Sequence, residues 1–288
     1  EYIESHPEFI RPLIRRNEVL SFLKLNQLND LCISRPKERL SWGIVIPFSA
    51  AHVTYVWFDA LINYISAVGE FDKDGKYQSK WWPADLHLIG KDILRQHAVY
   101  WPIILKALDI ELPKTIFAHG WWMIGQDKMS KSRGNVISPQ DMVDKFGIDV
   151  YRYFILRDVA FGMDGNFSEE SLVKRFNSDL ANDLGNLVYR TLTMIEKYFS
   201  GEVPDKIDGA GQAKIIEQDI KGLNTKISAS LSAGNDYNFS AALTDIWVLI
   251  NTANKYVEET KPWALARENK AKELKAFIAL LAAVIRET

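Results

Sequence analysis

The chain carries a single cysteine, Cys32, among 288 residues. One thiol cannot close an internal disulfide, and with five scattered histidines it forms no recognisable zinc-ligand spacing, so no zinc is expected in this segment. Long hydrophobic runs are missing too. Stretches such as "LHLIG" and "VLINTA" fall far short of the ~20 residues a membrane span needs, and no charged-then-apolar leader opens the sequence. We therefore expect a soluble, cytoplasmic protein with no membrane partner. Net charge is small: 35 Lys and Arg against 37 Asp and Glu leave a formal −2. That value does not advertise a nucleic-acid binder, although a local basic face can still take phosphates. Repeats and low-complexity tracts are absent, which removes solenoid and collagen-like readings.

What is present is globular material, 47% hydrophobic, with room for one large or two modest domains. Two rhythms divide it, and the change falls between about residue 145 and residue 178. In the first half, "VTYVWFDALINYI" begins strand-like, and "LHLIG" (86 to 90) reads as a short buried strand. After it, Ile93, His97, Tyr100, Trp101, Ile104 and Leu108 recur at helical spacing, with Asp92 suited to cap the helix. "TIFAHG" (115 to 120) follows as a second strand. This βαβ pattern predicts a parallel sheet with ligand sites beyond its strand ends, on the side of Gly90, Asp92, His119 and Gly120. The second half is helical throughout. Ile216, Ile220, Leu223, Ile227 and Leu231 make one stripe, Leu243, Ile246, Ile250, Ala253 and Tyr256 another, and Pro262 suits the first turn of a last helix. Four or five helices are expected there.

One loop stands out chemically. In "GQDKMSKSRGN" (125 to 135), Gly125 and Gly134 allow unusual backbone angles, while Lys128 and Lys131 supply mobile ammonium groups that bind phosphate as point charges. Lys/Ser loops are also common on ordinary surfaces, so the pattern by itself is weak. The literal string "KMSKS" is more specific: a preset five-residue string arises by chance in a chain this long about once in ten thousand times.

That string resembles the second signature of the class I aminoacyl-tRNA synthetases. With "YVWFDALINY", "LIGKDILRQHAVYWP", "AHGWW", "SRGNVI" and "NKYVEETKPW" in order, the whole chain is similar to the methionyl-tRNA synthetase family. The resemblance implies the latter half of a Rossmann-like α/β catalytic domain (1–145), a connecting stem-contact region (146–177) and an α-helical anticodon-binding bundle (178–288). It implies ATP, accompanied by Mg2+, activating methionine to methionyl-adenylate, then transfer to tRNA(Met). By motif, Lys131 meets the triphosphate with Lys128 assisting, and Ser130 and Ser132 shape the loop. Gly90, Asp92, His119 and Gly120 adjoin the nucleotide. Trp57, Ala60, Leu61, Tyr64, His97 and Trp101 form the methionine slot, where aromatic walls favour a polarizable thioether. Asn186, Arg190 and Trp263 read the CAU anticodon, as amide, guanidinium and indole groups can read or stack single-stranded bases.

The chain also departs from the family. No "HIGH"-like histidine signature occurs, nor a cysteine-bearing zinc knuckle. The expectation is thus a C-terminal part whose partner is a missing N-terminal half of the catalytic domain, and which alone forms no adenylate. Val45 stands where the family often has proline or an acid, and Gln96 where an aromatic is frequent.

Overall fold

The run "HLIG" becomes the strand His87–Gly90, in which His87 and Ile89 are buried while Leu88, on the opposite face, is 54% exposed. Alternation of this kind follows from the two-residue period of a strand. The strand pairs in parallel with Ile116–His119, from His87 opposite Ile116 to Gly90 opposite His119. Between them run a 3-10 turn (Lys91–Ile93), a π-helical segment (Gln96–Tyr100) and the helix Trp101–Ala107. The expected βαβ unit is therefore present. Asp92 does not cap the helix as expected: the turn starts at Lys91 with Gly90 in the cap position, so Asp92 is already inside the first turn, and no side chain makes the capping hydrogen bond.

The coordinates come from a computed structural model that describes residues 1–125, 127–129, 136–205 and 211–288, excluding the side chains of Asp127 and Lys128. They divide into two compact units, Glu1–Trp121 and Trp122–Thr288. In the first, a strand the sequence did not announce, Ile10–Arg11, pairs in parallel with the far side of Ile116–His119. The sheet order leaves His87–Gly90 as an edge strand among the described residues. Its core joins Phe9, Ile10, Ile89 and Ile116 to Val19 of the helix Leu13–Leu25 and to Leu61 and Ile65 of the helix Val56–Ser66.

In the second unit, the strand Trp122–Ile124 pairs antiparallel with Asp127–Lys128 and parallel with Gly165–Asn166. Met142, Phe154, Phe167 and Leu172 build a small core beside it. Ser138 starts the helix Pro139–Phe146, its hydroxyl accepting from the Asp141 amide, with Pro139 in the first turn. The helices Ile148–Arg157 and Glu169–Arg175 lead through a π-helical segment, Phe176–Gly185, into the bundle. Its five described α-helices are Asn186–Phe199, Gln212–Ser230, Phe239–Thr260, Pro262–Arg267 and Ala271–Glu287. Ile216, Leu223, Ile250 and Ala253 of the expected stripes are buried, against Phe277, Ile278 and Leu281. Pro262 does open a helix, but not the last one. Asn269, at φ 54°, breaks the chain before a further helix whose face from Leu274 to Val284 enters the core.

The division at Trp121 groups the root of the lysine loop with the helical half, because Trp122–Ile124 is tied by its ladder to Gly165–Asn166. The partition into 1–145, 146–177 and 178–288 is one of roles and stays a proposal. No helix among the described residues is long and apolar enough to cross a membrane.

Candidate active site

Tyr64 lies on the helix Val56–Ser66, whose apolar face turns Leu61 and Ile65 into the core. Its hydroxyl donates to Nε2 of His97 at 2.9 Å, while Nδ1–H of His97 donates to the Ile93 carbonyl, also at 2.9 Å. The carbonyl can only accept, which fixes the tautomer: the proton sits on Nδ1 and Nε2 accepts. Burial lowers the pKa of His97, and the Ile93 carbonyl partly opposes this. Trp57 stands edge-on to His97, with ring centroids 6.2 Å apart, and Tyr64 lies 6.0 Å from Trp101. Four of the six residues expected to form the methionine slot, Trp57, Leu61, Tyr64 and Trp101, thus belong to one core and its packed rim; His97 joins them through Tyr64 and Trp57, and Ala60 is exposed. They are not equally accessible. Leu61, His97 and Trp101 are at most 2% exposed and form a floor, whereas Trp57, Ala60 and Tyr64 reach solvent.

A residue that sequence reasoning passed over sits in the middle of this floor. His87 is 5% exposed, its ring 4.3 Å from Tyr64, and its Nε2 accepts the indole N–H of Trp101 at 3.3 Å. Burial, with a smaller push from His97, holds its pKa down to about 4, so the ring is neutral at pH 7. The available signal was its place as the first inward residue of the strand, directly below the helix that carries Trp101. A cavity of about 310 Å³ adjoins this face, lined by Tyr64, Trp81, Trp82 and His87 among others.

The nucleotide candidates gather where the parallel strands end. Gly90 and His119 are register partners, and Nδ1 of His119 lies 2.7 Å from the Gly120 carbonyl. A Cβ on Gly90 would come within 2.7 Å of the Asp92 carboxylate, so glycine lets the backbone turn tightly around that acid. Asp92 accepts from the Trp121 indole at 3.3 Å, and Lys91 lies over the same indole at 4.3 Å. Strand termini in such sheets are where anionic ligands are held. Of the two positions that depart from the family pattern, Gln96 buries its Oε1 with no hydrogen-bond partner among the described residues, and Val45 lies exposed in a short antiparallel strand.

The lysine loop leaves from the second unit. Gly125, at φ 62°, turns the chain so that Lys128 pairs with Met123, and its amide donates to Oδ1 of Asn166 at 3.0 Å. Met129 packs onto the core of Met142, Phe154, Phe167 and Leu172, which anchors the loop's first strand. Ser130, Lys131, Ser132 and Gly134 lie outside the described residues, as does the side chain of Lys128. In the bundle, Asn186 and Arg190 are exposed one turn apart on the helix Asn186–Phe199. Arg190 meets Glu258 at 2.5 Å. Glu258 is near the end of the helix Phe239–Thr260, and the left-handed Lys261 then turns the chain into Pro262 and the half-exposed Trp263. This ion pair thus brings the helix of Asn186 and Arg190 to the bundle end where Trp263 lies.

Comparison with known proteins gives a consistent answer. The profile of the family described as tRNA synthetases class I (M) matches residues 1–192. The methionine–tRNA ligase of Caldanaerobacter subterraneus subsp. tengcongensis is 48% identical over 269 residues, 93% of this chain and 41% of the relative. That of Listeria monocytogenes serovar 1/2a is 47% identical over 99% of this chain and 43% of its own length. The chain therefore spans less than half the length of these relatives. Among solved structures, methionyl-tRNA synthetase from Mycobacterium tuberculosis in complex with methionyl-adenylate superposes with a TM-score of 0.87 at 41% identity, covering 99% of this chain and 56% of that one.

Proposed function

The chain belongs to the tRNA synthetase class I (M) family, and from that premise we propose that it is part of a methionine–tRNA ligase. A carboxylate oxygen of methionine attacks the α-phosphorus of ATP, a phosphorus–oxygen bond forms, and the bond to pyrophosphate breaks. A ribose hydroxyl of tRNA(Met) then attacks the adenylate's carbonyl carbon, and AMP departs. Both partners of the first step are anions. The protein's task is to position them and to neutralise charge that builds on the leaving pyrophosphate. Lys131, with Lys128, suits that neutralisation; Gly90, Asp92, His119 and Gly120 suit the nucleotide. A histidine signature outside this segment completes the site.

The observation that carries this reading is the aromatic cluster of Trp57, Tyr64, His97 and Trp101, of which His97 and Trp101 follow the turn that holds Asp92. A neutral, hydrogen-bonded imidazole behind a tyrosine gives an apolar yet polarizable wall, suited to a thioether and poor for a charged side chain. Among the described residues no three His, Cys, Asp or Glu side chains converge to hold a metal. Magnesium bound with ATP would supply further positive charge at the phosphate oxygens. Asn186, Arg190 and Trp263 read the CAU anticodon, and the enzyme works in the cytoplasm, where its tRNA is charged.

The test is pyrophosphate exchange. In the full-length protein that contains this segment, Lys131→Ala should slow adenylate formation by about a hundredfold or more while methionine affinity stays within about threefold. Equal losses in both would sink the assignment. The segment alone should show no exchange, and exchange without a partner would contradict its dependence on residues elsewhere.

A further inference from the structure

The methionine slot proposed above names Trp57, Tyr64, His97 and Trp101 but leaves unexplained what fixes two of those rings. Trp101 is fully buried, and an indole N–H sealed from water needs an acceptor. The described partner is Nε2 of His87, at 3.3 Å. The same imidazole lies 4.3 Å from Tyr64 at 50° and 5.8 Å from Trp82, so three aromatic rings close around it. We propose that His87 is a positioning residue for methionine specificity, a neutral acceptor that sets the orientation of Trp101 and Tyr64 and, through the Tyr64 hydroxyl, of His97. This inference rests on the slot reading and extends it.

The chemistry explains why histidine serves here. Its Nε2 accepts in the plane of a flat ring, so one side chain can take a hydrogen bond and present a face to Tyr64. Phenylalanine would keep the packing and lose the acceptor. Glutamine would keep an acceptor at nearly the same reach. Its place also separates His87 from the ligand: at 5% exposure beneath Tyr64, it acts through the rings above it. The strand that holds it runs on to Gly90, three residues later, so one short element steadies the amino-acid slot and the nucleotide end together.

The experiment measures the two substrates separately in the full-length protein, by pyrophosphate exchange, for His87→Phe, His87→Gln and Trp101→Leu. His87→Phe should raise KM for methionine about tenfold and narrow the preference for methionine over homocysteine, with KM for ATP unchanged. His87→Gln should restore both to within about threefold of the parent. If His87→Phe and His87→Gln each lower kcat and leave KM for methionine alone, His87 is only a packing residue and the proposal fails. Should His87→Phe not fold, His87→Gln decides: parental methionine KM with parental discrimination supports the acceptor role, while a tenfold loss overturns it. Trp101→Leu tests the underlying slot. If it leaves KM for methionine unchanged, the slot reading falls, and the role of His87 with it; a raised KM for Trp101→Leu beside a normal one for His87→Phe overturns the His87 proposal alone.

Discussion

Lowering the pH from 7 to 5 should weaken the first unit well before its carboxylates protonate, because His87 is folded as a neutral base. In the unfolded chain its pKa is the ordinary value near 6.5; in the fold, burial and His97 bring it to about 4. Between those values the unfolded state binds the extra proton, so stability falls as pH falls. The contribution is fully present above the unfolded value, is lost on the way down, and levels off below the folded value. Integrated between those two pKa values, the loss attributable to His87 is about 2 kcal/mol at pH 5 and about 3 kcal/mol at the acid limit. His97, also lowered by burial, adds a loss of the same sign. Urea unfolding followed by tryptophan fluorescence at pH 7 and pH 5, for the parent and for His87→Gln, isolates the effect, since glutamine does not titrate and every other group is common to both. The parent should lose about 2 kcal/mol more than the variant. If both lose the same amount, His87 is not held neutral by the fold.

Two glycines should respond oppositely to alanine, and thermal melts can check both. Gly125 has φ 62° with no atom of the described residues within 4 Å of a new Cβ, so Gly125→Ala should cost about 1 kcal/mol through the backbone. Gly222, inside the helix Gln212–Ser230 and equally open, should gain nearly 1 kcal/mol; a loss there would refute the propensity argument. Leu281 is fully buried in the bundle core, and Leu281→Ala should cost about 2 to 5 kcal/mol in urea titrations. A cost under 1 kcal/mol would mean the bundle closes over the gap. Trp263→Ala should weaken binding of tRNA(Met) by about tenfold or more in a filter assay, and the loss should vanish when the anticodon is changed. Undiminished binding would remove Trp263 from anticodon reading.

Features with a period were legible in the sequence. The buried strand at residues 87 to 90, the parallel partner at 116 to 119 and the bundle stripes all announce themselves by alternation or by helical spacing. Features that depend on distant partners were not. Ile10–Arg11 is two residues long and becomes a strand only because Ile116–His119 offers it an edge. The Asp92 cap failed because a 3-10 turn starts directly at the strand end, which moves the acid from the cap into the helix. His87 was invisible as a site residue, since its meaning lies in a tryptophan fourteen positions away. The lysine string was recognisable as letters, yet its root is held by residues far along the chain: Gly125 bonds Asn166, 41 positions away, and Met129 packs on Phe154 and Phe167.

The edge strand His87–Gly90 has a practical consequence at the bench. One side of its backbone is paired, while on the other no strand pairs with it among the described residues, and Leu88 beside it is half-exposed. Such a rim is a template for any extended chain that drifts past, including a second molecule of the same kind. When this segment is expressed alone, this edge should add to its tendency to clump as it is concentrated. A charged residue in place of Leu88 becomes the first remedy to try.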